Sequence, residues 1–270
     1  MNTKKPNTNG SMNAKNIVDT NSSVNIKESS FEKFRQEDNR YLSNRKKTAM
    51  ELGMPNLFDI VDQFGLYAGV QTIGKSLAVY ELLKMTNTIP GNILEFGCWK
   101  GSNLLLMTKI LKLLQPNTIK EVYGFESFEG LKTFSESDVL KDKPYGSYKG
   151  DEEVLLKLIE LYDLTHWVTI VKGDATKTIK EFESKNPHTL VSLAYLDFDL
   201  YLPTKIALEF VHRRLSIGGL IVFDEAGTHD WKGEGKAMVE FLQKYGQEYE
   251  SIIIPFVRQP TIILKRVAKK

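Results

Sequence analysis

The sequence predicts an α/β fold with a seven-stranded sheet, in which five parallel strands precede a C-terminal antiparallel hairpin and helices cover both faces. After Pro90, short apolar, β-branched segments alternate with longer amphipathic segments, which is typical of right-handed βαβ units. Two further strands, residues 251–254 and 261–264, are joined only by the segment PFVRQP. Because a crossover helix does not fit into so short a connection, these two strands are predicted to be antiparallel.

The parallel strands and the helices between them follow from the hydrophobic pattern. The predicted strands are residues 92–96, 121–126, 167–171, 192–197 and 219–224. The predicted helices are residues 66–85, 102–114, 152–161, 175–183 and 203–215. Ligands of open α/β sheets bind beyond the carboxyl ends of the strands, so the residues that follow each strand are the candidate functional residues.

The N-terminal third differs in composition from the rest of the chain. Residues 1–30 are rich in Asn, Ser, Thr and Lys and have almost no large apolar side chains, so they are predicted to form a disordered arm. Residues 31–90 are predicted to form a helical cap or lid, which begins with a charged helix over about 31–47. The cofactor-binding domain is predicted to span residues 91–270.

Composition excludes several classes of protein. The net charge of +2 is too small for a nucleic-acid partner, and no Lys/Arg run interleaves with aromatic residues. A single cysteine, Cys98, precludes an intramolecular disulfide and fits a reducing compartment. No apolar run approaches the roughly 20 residues that span a bilayer, and the N-terminus has no apolar secretory core. We therefore expect a cytoplasmic protein without a membrane partner.

The first predicted strand ends in a glycine turn preceded by an acid, with Glu95, Gly97 and Gly101 in the pattern E-x-G-x-x-x-G. A dinucleotide site would have G-x-G-x-x-G, which lets a helix N-terminus receive a pyrophosphate. A carboxylate at this turn repels pyrophosphate but suits the ammonium and sulfonium groups of S-adenosylmethionine (SAM). The turn is therefore a candidate SAM site that also includes Cys98, interpreted as a small packing residue, and Ser102.

The next two strand ends supply groups that suit the adenosyl half of the same ligand. Glu126 follows the second strand and is predicted to accept both ribose hydroxyls, with Ser127 beside it. Asp174 follows the third strand and is predicted to receive the adenine amino group, while Ala175 packs on the ring. Each acid alone is compatible with a solvated turn, but their order along three strands favours SAM binding.

Four more carboxylates follow the fourth and fifth strands: Asp197, Asp199, Asp224 and Glu225. Strand alternation would send Asp197 and Asp199 to the same side. Neighbouring carboxylates repel one another, and an all-oxygen ligand set favours Mg²⁺, or another divalent cation such as Ca²⁺ or Mn²⁺. The alternative is that Asp199 only caps the helix that starts near Pro203.

These segments resemble the macrocin O-methyltransferase family, whose members have the seven-stranded, Rossmann-like sheet of class I methyltransferases. The resemblance covers about residues 66–242 and rests on EFGCWKGSN, VYGFESFEGL, LDFDLYLPT and SIGGLIVFDE. It implies that Asp197, Asp224 and Glu225 hold Mg²⁺ and that Asp199 is a general base. The family usually has Gly where Phe198 stands and Asp where Glu225 stands, so Phe198 is expected to narrow the acceptor pocket.

The resemblance implies a SAM-dependent O-methyltransferase that modifies a hydroxyl of a sugar or sugar-containing natural product and forms at least a dimer. In that reaction Asp199 would remove the hydroxyl proton, and His229, in the loop 227–233, is the rival base. Three alternatives remain open: an amine or phosphorylated acceptor, a non-catalytic SAM- or metal-binding protein, and an NAD-dependent oxidoreductase. The missing G-x-G-x-x-G and the terminal hairpin disfavour the last of these.

Overall fold

The structure is a computed structural model that describes residues 35–138, 145–228 and 231–268. The chain divides into two compact units, Met1–Leu42 and Ser43–Lys270. The described part of the first unit, residues 35–42, belongs to helix α1 (Arg35–Glu51). The arm predicted over residues 1–30 lies outside the described residues.

Seven strands in the described part of the chain form one sheet. They are β1 (Asn92–Phe96), β2 (Val122–Glu126), β3 (Val168–Lys172), β4 (Val191–Leu196), β5 (Leu215–Phe223), β6 (Tyr249–Ile252) and β7 (Ile262–Arg266). Their spatial order is β3-β2-β1-β4-β5-β7-β6, with β1 to β5 parallel and β7 antiparallel to both β5 and β6. The predicted sheet, including its terminal antiparallel hairpin, is confirmed.

The remaining helices of the described chain flank this sheet. They are α2 (Leu57–Asp62), α3 (Phe64–Tyr67), α4 (Val70–Met85), α5 (Ser102–Leu114), α6 (Glu152–Leu161), α7 (Ala175–Lys185), α8 (Tyr201–Arg214) and α9 (Lys232–Tyr245). Helices α2 and α9 were not predicted from the sequence. No described helix combines the length and the apolar character needed to cross a membrane.

The core has two layers because successive residues of the buried strands point to opposite faces of the sheet. Ile93, Tyr195 and Val222 pack in the layer that contains buried residues of α4, α5 and α6. Phe96 and Phe223 pack in the opposite layer, with buried residues of α7, α8 and α9. Each large apolar side chain buried in this way contributes roughly 1.5–3 kcal/mol, so the central strands are held firmly from both sides.

The strand order reverses at β1, which lies between β2 and β4, and this is where open α/β sheets bind ligands. The turns that follow β1 and β4 nearly touch there. Gly97 has a φ of +88°, and a Cβ at this position would lie 2.1 Å from the backbone oxygen of Asp197. Only glycine satisfies both the positive φ and this close approach.

The fourth and fifth strands end one residue earlier than predicted, at Leu196 and Phe223. Asp197 and Asp199 therefore both lie beyond the strand, so strand alternation does not set their directions, although both line the same cavity. Asp199 instead has a φ of +63°, in the left-handed region that few residues other than glycine adopt. The backbone itself turns at this acid and sets its direction.

Candidate active site

One cavity of about 870 Å³ opens at the carboxyl ends of the parallel strands. Ligand pockets usually measure about 300–1,000 Å³, so this cavity has room for more than a small metabolite. Most of the predicted site residues line it: Gly97, Glu126, Ser127, Asp174, Ala175, Asp197, Asp199, Asp224 and Glu225. Four others do not line it: Glu95, Cys98, Gly101 and Ser102.

Two backbone N–H groups hold Glu126 in place. It lies on the side of the cavity formed by the ends of β1, β2 and β3, which we call the cofactor side. Its Oε2 accepts the backbone N–H of Trp99 at 2.8 Å, and its Oε1 accepts the backbone N–H of Phe128 at 2.9 Å. The Ser127 hydroxyl lies 3.4 Å from Oε1. Each carboxylate oxygen can accept more than one hydrogen bond. Glu126 is thus held at the end of β2 with capacity left for ligand hydroxyls.

Glu95 is buried behind the glycine turn. Its Oε1 accepts a hydrogen bond from Asn103 Nδ2 at 2.8 Å, whereas its Oε2 is buried without a hydrogen-bond partner. Burial raises the pKa of Glu95 to about 7, although the hydrogen bonds from Asn103 and Cys98 oppose this. An acceptor left unsatisfied inside a protein suits an incoming donor such as an ammonium group.

The other turn residues have mainly structural contacts. The Cys98 thiol is buried, donates weakly to the carbonyls of Glu95 and Phe125 at 3.8 Å, and has a pKa raised by that burial. Gly101 precedes α5 with a φ of +79°, and Ser102 is the first residue of that helix. Their predicted cofactor contacts stay predictions.

Asp174 at the end of β3 has a structural task as well. Its side chain caps α7 by accepting the backbone N–H of Thr176 at 2.9 Å and the Thr176 hydroxyl at 2.7 Å. Ala175 is buried beside it and lines the same cavity. The contact of Asp174 with an adenine amino group stays a prediction.

Two charged residues that the sequence analysis missed join the acids beyond β4 and β5. Glu234, in the first turn of α9, is fully buried, and its Oε1 lies 3.4 Å from the backbone nitrogen of Glu225. The Oε2 of Glu234 is buried without a hydrogen-bond partner. We refer to Asp197, Asp199, Asp224, Glu225 and Glu234 as the acidic edge.

Lys75 of α4 is the second missed residue, and it contacts Asp224 beyond the carboxyl end of β5. Its Nζ lies 3.0 Å from Asp224 Oδ1 and 3.3 Å from Oδ2. The hydroxyl of the buried Tyr195 donates a short hydrogen bond to the same Oδ1. Lys75 stands in the mainly apolar helix segment VQTIGKSLAV, and this solitary charge was the available sequence signal.

Mutual repulsion and burial determine the protonation of the acidic edge. Burial, together with the charges of Asp224 and Asp199, raises the pKa of Asp197 well above its usual range. Burial and the charges of Asp199 and Asp224 raise the pKa of Glu234 likewise. Burial lowers the pKa of Lys75, but the carboxylates of Asp224, Asp197 and Glu95 raise it by more than that. The net shift of the Lys75 pKa is therefore upward.

The donor atoms of the acidic edge do not fit a divalent metal in this arrangement. Both oxygens of Asp224 already accept from Lys75, and the Gln259 amide donates a short hydrogen bond to Glu225 Oε1. Among the described residues, no three His, Cys, Asp or Glu side chains form a group that could hold a metal ion. This arrangement therefore does not support the predicted assignment of Asp197, Asp224 and Glu225 as metal ligands.

Aromatic side chains also line the cavity. Trp99 and Tyr148 have ring centroids 5.9 Å apart, and those of Tyr148 and Trp231 are 6.1 Å apart. Phe198 also lines the cavity and packs against Phe96. Its expected narrowing of the acceptor pocket stays a prediction. His229, the predicted rival base, lies outside the described residues.

The strand order, with five parallel strands and an antiparallel C-terminal pair, is that of the class I methyltransferase fold. The solved structure of the calicheamicin methyltransferase CalS11 has this fold, with a TM-score of 0.70, 24% identity and coverage of 86% of this chain and 92% of the other. Residues 76–250 match the macrocin O-methyltransferase (TylF) family. The chain belongs to this family, which confirms the resemblance seen in the sequence.

Two characterised relatives come from Streptomyces. The 8-demethyl-8-(2,3-dimethoxy-alpha-L-rhamnosyl)-tetracenomycin-C 4′-O-methyltransferase of Streptomyces olivaceus is 25% identical in an alignment over 163 residues that covers 55% of this chain and 60% of the relative. The demethyldecarbamoylnovobiocin O-methyltransferase of Streptomyces niveus is 25% identical over 146 residues, 52% of this chain and 54% of the relative. The matches thus span little more than half of each relative.

Proposed function

We propose that this protein is a SAM-dependent O-methyltransferase that methylates a hydroxyl group of a sugar or of a sugar-containing natural product. One observation carries the proposal: Glu126, Asp174 and Asp199 follow three different strands and line a single cavity. The names of the two Streptomyces relatives, both O-methyltransferases of natural products, support the same reaction. Membership of the macrocin O-methyltransferase family disfavours the NAD-dependent oxidoreductase.

The cofactor side binds and orients SAM in this proposal. Bound SAM supplies an electrophilic methyl group on a sulfonium that is a good leaving group. Glu126 accepts the ribose hydroxyls, because two backbone N–H groups already hold its carboxylate at the cavity wall. Glu95 attracts the ammonium group of the methionine part from behind the glycine turn. The protein mainly aligns the two reactants, which is the largest contribution it can make to a direct displacement.

Asp199 is the proposed general base. It lines the cavity, and the left-handed backbone conformation at its position directs the chain away from β4. A carboxylate within hydrogen-bond reach of the acceptor hydroxyl removes its proton as the new bond to the methyl group forms. His229 remains the alternative base.

The aromatic wall of Trp99, Tyr148 and Trp231 is the proposed contact surface of the acceptor. Aromatic rings present large apolar faces of the kind that ligand pockets use to bury a cyclic substrate. An amine or phosphorylated acceptor is the second candidate, since the aromatic wall alone does not select the nucleophile. A need for Mg²⁺ is not part of this proposal, because the acidic edge does not fit a divalent metal in this arrangement. A dimeric state and a cytoplasmic location stay predictions, and no step above depends on them.

Calorimetry and product analysis test the proposal. SAM and S-adenosylhomocysteine should bind in the micromolar range, about −8 kcal/mol, and NAD should give no heat. Incubation with SAM and a panel of glycosides and nucleotide sugars should give a product heavier by one methyl group, and matched amino-sugar acceptors test the amine alternative. Binding of NAD without binding of SAM would overturn the proposal.

A further inference from the structure

The feature that the family resemblance does not explain is the ammonium group of Lys75 at the acidic edge. Lys75 and Asp224 are 149 positions apart in the sequence, yet Nζ contacts both carboxylate oxygens, at 3.0 and 3.3 Å. The side chain of Asp224 is almost completely buried, whereas that of Lys75 is about one-third exposed. A buried carboxylate is costly unless it is paired and hydrogen-bonded, and Lys75 and Tyr195 meet both needs here.

The fold holds Lys75 in this place. Its neighbour Gly74 is buried in α4, where a Cβ would lie 3.1 Å from Val257 Cγ1 and 3.7 Å from the Phe256 carbonyl oxygen. Helix α4 therefore lies directly against the segment between β6 and β7. With the helix backbone fixed one residue away, only the side-chain torsions of Lys75 remain to be ordered when it contacts Asp224.

We propose that Lys75 is the resident counter-ion of Asp224 and keeps divalent metals away from the acidic edge. A metal bound at Asp224 would have to displace the ammonium group or tolerate its charge at close range, and either requirement opposes binding. The positive charge that the acidic edge needs then comes from the chain itself. This inference does not rest on the proposed methyl transfer, because metal binding can be measured without any turnover.

Mn²⁺ binding to the full-length protein, followed by electron paramagnetic resonance, tests the inference. Lys75→Met should bind Mn²⁺ about tenfold more tightly than the wild type or better, because it frees Asp224 and removes the repelling charge. Lys75→Arg retains the charge and should bind Mn²⁺ as weakly as the wild type. Lys75→Gln removes the charge but keeps a hydrogen-bond donor, so it gives the same test if the Met variant does not fold.

Two controls locate the effect. Lys84→Met removes a lysine of the same helix that pairs with Glu81 at the exposed surface, and it should leave Mn²⁺ binding unchanged. Adding Asp224→Asn to Lys75→Met should abolish the gain in affinity. Wild-type protein that binds Mn²⁺ as tightly as Lys75→Met and Lys75→Gln would overturn the inference, as would an equal gain in Lys84→Met.

Discussion

The cofactor side and the acidic edge both present carboxylates at strand ends, but they stabilise them in different ways. Backbone N–H groups of Trp99 and Phe128 hold Glu126, and Thr176 holds Asp174. At the acidic edge, carboxylates lie near one another, and Asp224 depends on the distant side chains of Lys75 and Tyr195. The cofactor side therefore relies mainly on backbone N–H groups, whereas the acidic edge depends on side chains distant in the sequence and on protonation.

The largest expected effect comes from removing the charge of Asp199 alone. Asparagine is nearly isosteric and tolerates the left-handed conformation found at this position, so Asp199→Asn should keep the fold and SAM affinity. Turnover should fall roughly 10²–10⁴-fold, the usual contribution of general acid–base catalysis. Steady-state kinetics together with calorimetry measures both quantities.

The same variant separates catalysis from a purely structural role. The structure does not support the capping alternative, because the N-cap residue of α8 is Leu200 and not Asp199. A residue with only a local structural role would lose little on this substitution, since Asn has the size of Asp and tolerates the same backbone conformation. If Asp199→Asn retains turnover within a few-fold of the wild type, Asp199 is not the base and His229 becomes the candidate.

Glu95 is the exception on the cofactor side, since it is buried and has a raised pKa. Because burial raises that pKa from 4.5 to about 7, the native state binds the proton more tightly than the unfolded chain does. Wild-type stability should therefore rise, relative to that of Glu95→Gln, as the pH falls from about 7 towards 4.5. The gain is at most about 3 kcal/mol, and urea unfolding of ligand-free protein measures it. Parallel pH profiles of the two proteins would contradict the assignment.

A third comparison tests the hydroxyl that supports Asp224. Tyr195→Phe removes a hydrogen bond to a buried carboxylate and should lower the free energy of unfolding by about 1.5–3 kcal/mol. Tyr249→Phe is the matched control, because the Tyr249 hydroxyl pairs with the neutral ring nitrogen Nδ1 of His212 at 2.9 Å. This substitution should lower the free energy of unfolding by only about 0.5–1.5 kcal/mol. Equal losses would mean that the charge of Asp224 adds nothing to the strength of the hydrogen bond from Tyr195.

The smallest expected effect concerns binding on the cofactor side. Glu126→Ala should weaken S-adenosylhomocysteine binding by about 1–3 kcal/mol, because ribose hydroxyls would lose a charged acceptor. Glu121→Ala, just before the opposite end of β2, removes a carboxylate that accepts a hydrogen bond from Tyr123 and should leave the affinity unchanged. Calorimetry that finds the two variants alike would remove Glu126 from the cofactor site.

The sequence predicted what depends on neighbours along the chain. Strand β1 and helix α5 have the predicted bounds, because the apolar strand, the glycine turn and the amphipathic helix are contiguous. Lys75 could not be paired with Asp224, since that contact depends on how α4 packs beside the sheet. Glu234 was missed because α9 was not predicted, so nothing indicated that an acid there would be buried against the end of β5.

In the proposed reaction, Gly97 bears on the distance between the methyl donor and the acceptor. Its missing side chain lets the turn of β1 rest on the backbone oxygen of Asp197, so one backbone contact sets the spacing between the two halves of the cavity. Reacting atoms must come within about 3–3.5 Å for efficient transfer, and a misplacement of about 1 Å can cost on the order of a hundredfold in rate. In the proposed reaction, the missing side chain of Gly97 thus helps to set the distance between the methyl donor and the acceptor.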